Sequence, residues 1–113
     1  MQVSATAKFI RRSPRKVRLV VDVVRGKPVK EALAILRFMP QGAAREVAAV
    51  IASAAANAEN NFQMAQDDLV VKKIYADEGP VFKRFGAKSR GQGTRILKRT
   101  SHITAVVEER EGL

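Results

Sequence analysis

Residues 69–76, LVVKKIYA, and residues 103–107, ITAVV, are two β-rich runs separated by the basic segment GPVFKRFGAKSRGQGTRILKRTSH (79–102). Two such runs around a glycine-bearing connector predict a β-hairpin. Hairpin connections usually have about 2–5 residues, and much longer ones are uncommon in compact domains unless they are functional or disordered. At ~3.3 Å per residue, an arm of about ten residues out and ten back would extend roughly 30 Å. The sequence therefore predicts a long protruding arm at about 79–102.

The arm is basic and contains no acidic residue. Its cations are Lys83, Arg84, Lys88, Arg90, Arg95, Lys98 and Arg99. Gly86, Gly91 and Gly93 relax its backbone, and few apolar residues are available to fold its tip against itself. We expect the tip of the free protein to be mobile and to become ordered on a polyanion.

A second basic block lies near the N-terminus. It spans residues 8–18 without an acidic residue and contains Lys8, Arg11, Arg12, Arg15, Lys16 and Arg18. The whole chain has a net charge of +10, yet outside the two blocks 11 acidic residues outnumber 8 basic ones. A surface shaped only for solubility would intersperse the two signs. Two acid-free blocks on a slightly acidic body instead indicate phosphate binding.

Composition limits the class of protein. At 113 residues and 46% apolar content, the chain is expected to form one globular domain, residues 1–113, that includes the arm. No apolar run approaches the ~20 residues of a membrane span, and no signal-peptide pattern begins the sequence, so we expect a cytoplasmic protein without membrane association. The absence of Cys excludes disulfides, thiolate metal sites and cysteine nucleophiles. No cofactor is predicted.

Residues 2–10 alternate in polarity, with Val3, Ala5, Ala7 and Phe9 on one face, and this period of two predicts a half-buried strand. We expect the strand to join the hairpin as a third strand, because a two-stranded sheet alone is marginally stable.

Three helices follow in the prediction. The first begins at Ser13-Pro14 and ends at about Arg25 before Gly26, the second begins at Lys27-Pro28 and is broken by residues 39–42, and the third covers about 43–60. Asn57, Asn60 and Asn61 are expected to cap and follow the third helix. The predicted apolar stripes are Val17, Val20, Val21 and Val24, then Val29, Ala32, Leu33 and Leu36, then Val47, Val50, Ile51, Ala54 and Ala58.

Cations in the first turn of the first helix oppose its dipole, which favours acidic residues there by ~0.3–1 kcal/mol each. This departure from the most stable choice points to function. The order β-α-α-α-β-β predicts an α+β fold, in which a small three-stranded antiparallel sheet packs against three helices and carries one long protruding β-hairpin.

Several residues have more than one interpretation. Phe82 and Phe85 are either base-stacking residues beside Lys83 and Arg84 or an apolar anchor where the arm leaves the body. His102 is best explained as a hydrogen-bonded histidine at a strand edge, since no partners for a triad or metal site can be named. The pairs 67–68, 77–78 and 108–109 are acidic, but neighbouring strand residues point to opposite faces and do not converge on a metal or substrate.

Three stretches resemble the large-subunit ribosomal protein L-twenty-two family in order and spacing. They are SPRKVRLVVDVVRGK (13–27), SAAANAENN (53–61), and the segment from DEGP (77–80) to KRTSHIT (98–104), so the resemblance covers essentially the full chain. It implies a compact α+β body near the outer end of the peptide exit tunnel and a hairpin that lines the tunnel wall. It further implies a monomer within the large subunit that binds 23S-type ribosomal RNA, aids assembly, and has a loop associated with macrolide response. Neighbouring ribosomal proteins and the nascent polypeptide are the other implied partners.

The resemblance and the charge pattern together give the candidate sites. The RNA-binding candidates are Lys8, Arg11, Arg12, Ser13, Arg15, Lys16, Arg18, Lys83, Arg84, Lys88, Arg90, Gly91, Arg95, Lys98, Arg99, Thr100 and His102. The candidate tunnel tip is Phe85, Gly86, Ala87, Lys88, Ser89 and Arg90. The sequence departs from the family at Gly86-Ala87 and Gln92-Gly93, where Pro-Arg and Arg-Ala are usual, so a more flexible and less charged tip is expected.

Two other classes of protein are weighed against this interpretation. An architectural DNA-binding protein would use the basic arm in the minor groove, but such proteins normally dimerise, and the Ala-rich third helix offers no wide apolar face for that. A small RNA-processing enzyme would need a convergent acid, base or metal set, and the sequence supplies none that can be named.

Overall fold

A three-stranded antiparallel sheet lies at the centre of the computed structural model, which describes residues 2–79, 82–87, 93–98 and 100–109. Within 82–87 and 93–98 only the backbone is described. The elements in chain order are β1 (Gln2–Ile10), α1 (Pro14–Val24), α2 (Val29–Arg37), α3 (Ala43–Phe62), a 3-10 turn (Gln66–Asp68), β2 (Leu69–Glu78), β3 (Phe82–Ala87), β4 (Gly93–Lys98) and β5 (Ser101–Glu109).

The sheet has the strand order β1-β5-β2, so the last strand lies between the other two, and both pairings are antiparallel. Helix α3 packs across β1 and β5, α1 packs on β2, and α2 packs mainly on α3. All three helices in the described part of the chain therefore cover one face of the sheet. This architecture confirms the predicted α+β fold with a three-stranded sheet.

The predicted helical stripes form the core. All four Val residues of the α1 stripe are 0% exposed, and burying each contributes about 1.5–3 kcal/mol. The stripe of α3 is buried as predicted, whereas Leu33 of α2 is only partly buried. Gly26 has a φ of +82°, a conformation that glycine adopts without penalty, and α1 ends just before it as expected.

Two details of the prediction were wrong. Helix α3 extends to Phe62 instead of about Asn60, and its C-cap is Gln63 in the left-handed conformation (φ 57°), so none of the three Asn residues is the cap and Asn61 lies inside the helix. Phe9 does not share the face of Val3: it is 53% exposed and has a φ of 59°. An extra residue in β1, between Ala7 and Ile10, shifts the register there and reverses the alternation.

A second bulge lies in β2. Val71 pairs with Val107 and Lys73 with Val106, so Lys72 is the additional residue. Because the bulge changes the parity of the strand, Leu69 and Val71 before it and Ile74 and Ala76 after it all face the core.

The predicted hairpin continues beyond the body. Its strands are longer than the sequence pattern indicated, since β2 extends to Glu78 and β5 begins at Ser101, and β3 and β4 then pair as a separate antiparallel ladder inside the predicted connector. The radius of gyration is 17.2 Å, whereas a compact chain of this length would have about 13 Å. The tip predicted to be mobile covers about residues 86–93, and residues 88–92 of it lie outside the described residues, as does Arg99.

Candidate nucleic-acid interface

The end of β1 meets the base of the hairpin. Ile10 pairs with Ser101, and the Ser101 hydroxyl donates a hydrogen bond of 2.6 Å to the backbone oxygen of Arg12. Ser101 is 0% exposed, so this bond is shielded from water. Arg12 and Ser101 lie 89 positions apart in the chain. The fold therefore brings the two basic blocks to the same end of the sheet.

Gly79 and Thr100 form the base of the hairpin. The Gly79 N–H donates to the Thr100 carbonyl at 3.0 Å, and a Cβ on Gly79 would overlap Thr100 Oγ1 and lie 3.2 Å from His102 Cε1. Thr100 is 2% exposed, so its side chain belongs to the interior. This burial argues against Thr100 as an RNA contact and assigns it to the structure of the hairpin base.

Arg12 is held by the body. Its Nε lies 3.0 Å from both carboxylate oxygens of Glu46 on α3. Its guanidinium also lies against Gly42, where a Cβ would come within 2.7–2.9 Å of it. One predicted RNA-binding cation is thus already neutralised within the protein.

Arg18 is engaged as well, at the free edge of β2. Its Nε donates to the Ala76 carbonyl at 3.1 Å, and Arg25 on the same helix donates to the Ile74 carbonyl from Nε and Nη2 at 3.3 and 2.9 Å. An edge strand has carbonyls that no neighbouring strand satisfies. These two arginines satisfy two of them and bind α1 to the sheet.

The other cations of the N-terminal block are available to an external ligand. Lys8, Arg11, Arg15 and Lys16 are exposed, and none of their side chains forms a hydrogen bond or ion pair with any residue in the described ranges. Ser13 is half-buried as the N-cap of α1, and its backbone oxygen accepts from Lys16 N and Val17 N, while its side chain makes no capping bond. Four unneutralised cations around a strand end and a helix start form a surface for anions.

The hairpin ladder separates its positive charges. Lys83 pairs with Leu97, Arg84 with Ile96, Arg95 with Phe85, and Lys98 with Phe82, so each cation has an apolar residue directly opposite. Like charges directly opposite each other would destabilise the pair. In this register, no two of these four basic residues are direct cross-strand partners. Gly86 and Ala87 also lie in this ladder, opposite Thr94 and Gly93.

His102 is hydrogen-bonded, as predicted, although it lies in the central strand. Its Nδ1 accepts the Phe9 N–H at 3.1 Å, and the two rings form a T-shaped pair with centroids 5.1 Å apart. Across the described ranges, no group of three His, Asp or Glu residues has the arrangement of a metal site. The acidic pair at 67–68 lies in the 3-10 turn, where Asp67 forms an ion pair with Lys30.

Three residues with structural roles were not assigned from the sequence. Phe9 lies on the outer face because of the bulge, and the consecutive apolar residues Phe9 and Ile10 were the available signal. Arg25 lies outside the predicted basic blocks, and the contact that assigns its role is 49 positions away. Gly79 was quoted within a motif, but its close approach to Thr100 requires the tertiary structure.

Comparison with known proteins shows which family the chain resembles. Residues 5–108 match the family described as ribosomal protein L22p/L17e. The chain is 60% identical to large ribosomal subunit protein uL22 of Roseiflexus castenholzii over 98% of both chains, and 58% identical to that of Chloroflexus aggregans over 97% of both. It is 57% identical to uL22 of Herpetosiphon aurantiacus over the full length of both. In the described ranges, no helix is long and apolar enough to cross a membrane. The chain thus belongs to the ribosomal protein L22p/L17e family, whose members are structural proteins of the large ribosomal subunit and not enzymes.

Proposed function

We propose that this protein binds large-subunit ribosomal RNA through its two basic blocks and supports assembly of the subunit. The observation that carries the proposal is that the blocks meet at one end of the sheet, where the side chains of Lys8, Arg11, Arg15 and Lys16 have no partner among the described residues. RNA phosphates suit such a cluster, since most sequence-independent contacts to nucleic acid are made to the backbone by Arg and Lys. Arg12 and Arg18 contribute by fixing the scaffold.

The hairpin extends this surface away from the body. The two strands of a hairpin lie only about 5 Å apart, so the hairpin is narrow. It can therefore enter gaps between RNA helices that the wider helical body cannot enter. The family supports a position along the wall of the polypeptide exit tunnel, with the nascent polypeptide and neighbouring ribosomal proteins as further contacts. The protein acts as one domain and as a monomer within the cytoplasmic ribosome.

The dependence of affinity on salt tests the RNA surface. If about six phosphates are neutralised, the logarithm of the association constant should fall with the logarithm of salt concentration at a slope of roughly −4 to −5. Replacing Arg11, Arg15 and Lys16 with Gln should flatten the slope by about 2, because each lost phosphate contact removes ~0.7–0.9. The measurement is a titration of folded large-subunit ribosomal RNA at several salt concentrations.

A matched control separates this surface from net charge. Arg37, Lys72 and Lys73 are also exposed, and each lacks a partner in the described structure, so changing them to Gln lowers the net charge by the same amount. The salt slope of RNA binding by this control variant should stay close to that of the wild type. Equal flattening by both triple variants would mean that only net charge matters. Binding to duplex DNA as tight as to the ribosomal RNA would favour an architectural DNA-binding role instead.

A further inference from the structure

The bulge in β1 places an aromatic ring on the outer face of the sheet. Ala7 pairs with Ile103 and Ile10 with Ser101, so Lys8 and Phe9 together lie opposite one residue, His102. Phe9 has a φ of 59°, a left-handed conformation that is uncommon for a bulky side chain and costs conformational energy. Burial does not offset this cost, because 53% of Phe9 is exposed.

The ring of Phe9 is held in place. The Phe9 N–H donates to His102 Nδ1 at 3.1 Å, and the two rings lie at 90° with centroids 5.1 Å apart. In a T-shaped pair, the ring that presents its edge keeps both of its faces uncovered by the other ring. The arrangement therefore fixes an aromatic pair and leaves a ring face open for stacking.

Cations flank this pair on one side. Lys8 is the other residue of the bulge, and Arg11 follows the end of β1; both are exposed and without a partner among the described residues. On the other side, Asp77 of β2 pairs with His102 and is exposed. An anion is thus favoured beside β1 and disfavoured beside β2, whereas an uncharged aromatic group suits the rings between them.

We propose that Phe9, supported by His102, is a stacking platform for one unpaired RNA nucleotide, whose flanking phosphates are bound by Lys8 and Arg11. This inference rests on the proposed RNA-binding function and adds a specific subsite to it. Unpaired bases stack on aromatic side chains, and such stacking is tolerant of base identity because every base has a π-face. The platform also accounts for an exposed Phe at a position whose positive φ Gly adopts without strain.

Substitutions at Phe9 test the platform with folded large-subunit ribosomal RNA as the probe. Phe9→Leu keeps an apolar side chain but removes the π-face, so the affinity should fall by at least about fivefold. The salt slope should stay the same, because no phosphate contact is lost. Phe9→Tyr should bind within about twofold of the wild type. Leu19→Ala, which changes a residue 66% exposed on α1, is the matched control and should bind like the wild type.

Phe9→Gly separates binding from folding. Gly relieves the positive φ, so this variant should unfold at the same or a higher temperature than the wild type while losing affinity at least as strongly as Phe9→Leu. Full affinity of both Phe9→Leu and Phe9→Gly would overturn the platform. Tight binding by Phe9→Leu with loss in Phe9→Tyr would also overturn it, because that pattern indicates an apolar protein contact. Failure of the wild-type protein to bind the RNA would refute the proposed function itself.

A fluorescent variant detects stacking directly. The sequence contains no Trp, so Phe9→Trp introduces the only one. An unstructured oligoadenylate should quench its emission, and an abasic oligomer with the same number of phosphates should not. Leu19→Trp is the control and should respond to neither. Equal quenching of Phe9→Trp by both oligomers would show that phosphates alone bind there and would overturn the platform.

Discussion

Individual residues at the base of the hairpin are constrained by space and by backbone conformation. Gly79 donates its N–H to the Thr100 carbonyl and approaches the Thr100 side chain so closely that a Cβ would overlap Oγ1. Gly26 has ample space, since an added Cβ would have no neighbouring atom within 4 Å, but its φ of +82° disfavours other residues. The two glycines are therefore needed for different reasons.

Replacing Gly79 with Ala should lower the free energy of unfolding by about 1–3 kcal/mol, because an added methyl group in a packed site forces its neighbours to move. Gly26→Ala should cost about 1 kcal/mol through backbone strain alone. Thermal unfolding measures both. Thr100→Ala alone serves as the reference for a double-mutant cycle, because Thr100 has interactions of its own. If Gly79→Ala costs less stability in the Thr100→Ala background than in the wild type, the overlap with Thr100 is the cause; an equal cost in both backgrounds would contradict it.

At the scale of elements, helix α1 has two sets of cations with different tasks. Arg18 and Arg25 donate to carbonyls at the free edge of β2, whereas the side chains of Arg15 and Lys16 in the first turn form no hydrogen bond or ion pair with a described residue. Repulsion between the dipole and the first-turn cations is a small cost that a bound phosphate would remove. One helix thus combines contacts that attach it to the sheet with part of the proposed RNA surface.

Two variants, each measured for stability and for RNA binding, distinguish these two roles. Arg18→Leu should lower the free energy of unfolding by about 1–3 kcal/mol, because it leaves a carbonyl of the β2 edge unsatisfied, and should leave the salt slope of RNA binding unchanged. Arg15→Gln should leave stability unchanged or raise it by ~0.3–1 kcal/mol, and should flatten the slope by about 0.7–0.9. Chemical denaturation gives the free energy of unfolding of each variant, and RNA titration at several salt concentrations gives its salt slope. A flatter slope for Arg18→Leu would place that side chain on RNA after all.

At the scale of the whole molecule, the body and the arm are built separately. The buried core lies in the helices and in β1, β2 and β5, and β3 and β4 form their own two-stranded ladder. The two are joined at Gly79 and Thr100. Shortening the arm should therefore affect its reach and leave the fold of the body intact.

Replacing residues 86–94 with Asn-Gly tests this division. The pair Phe85 and Arg95 would then flank a two-residue turn of the type that hairpins favour. Thermal stability should change little, since loop closure varies by only about 0.6 kcal/mol per doubling of length. Large subunits should still incorporate the protein, but macrolide sensitivity or pausing on tunnel-sensing nascent peptides should change.

Subunit occupancy and ribosome stalling, measured in parallel, decide the outcome. Loss of the shortened protein from subunits washed with high salt would identify the tip as an assembly anchor. Normal occupancy with unchanged stalling and drug response would contradict a role for the tip in the tunnel. The full-length protein expressed at the same level is the control.

The order of the elements of the body, most of the helical core faces and the two basic blocks could be predicted from the amino-acid sequence. Helix and strand periods depend on residues two to four positions apart, so the stripes of α1 and α3 could be read directly. The relatives of the chain could also be recognised from its motifs. These features are local, and the folded structure preserved them.

The contacts of the individual Arg and Lys side chains, in contrast, depend on the tertiary structure. Arg12 and Arg18 match the charge pattern of Arg11 and Arg15, but their partners Glu46 and Ala76 lie 34 and 58 positions away in the chain. The exposed position of Phe9 likewise depends on a bulge against β5, which is 93 positions away at His102. The periodicity of the sequence cannot predict such contacts, because they form only when segments that are distant in the chain pack together.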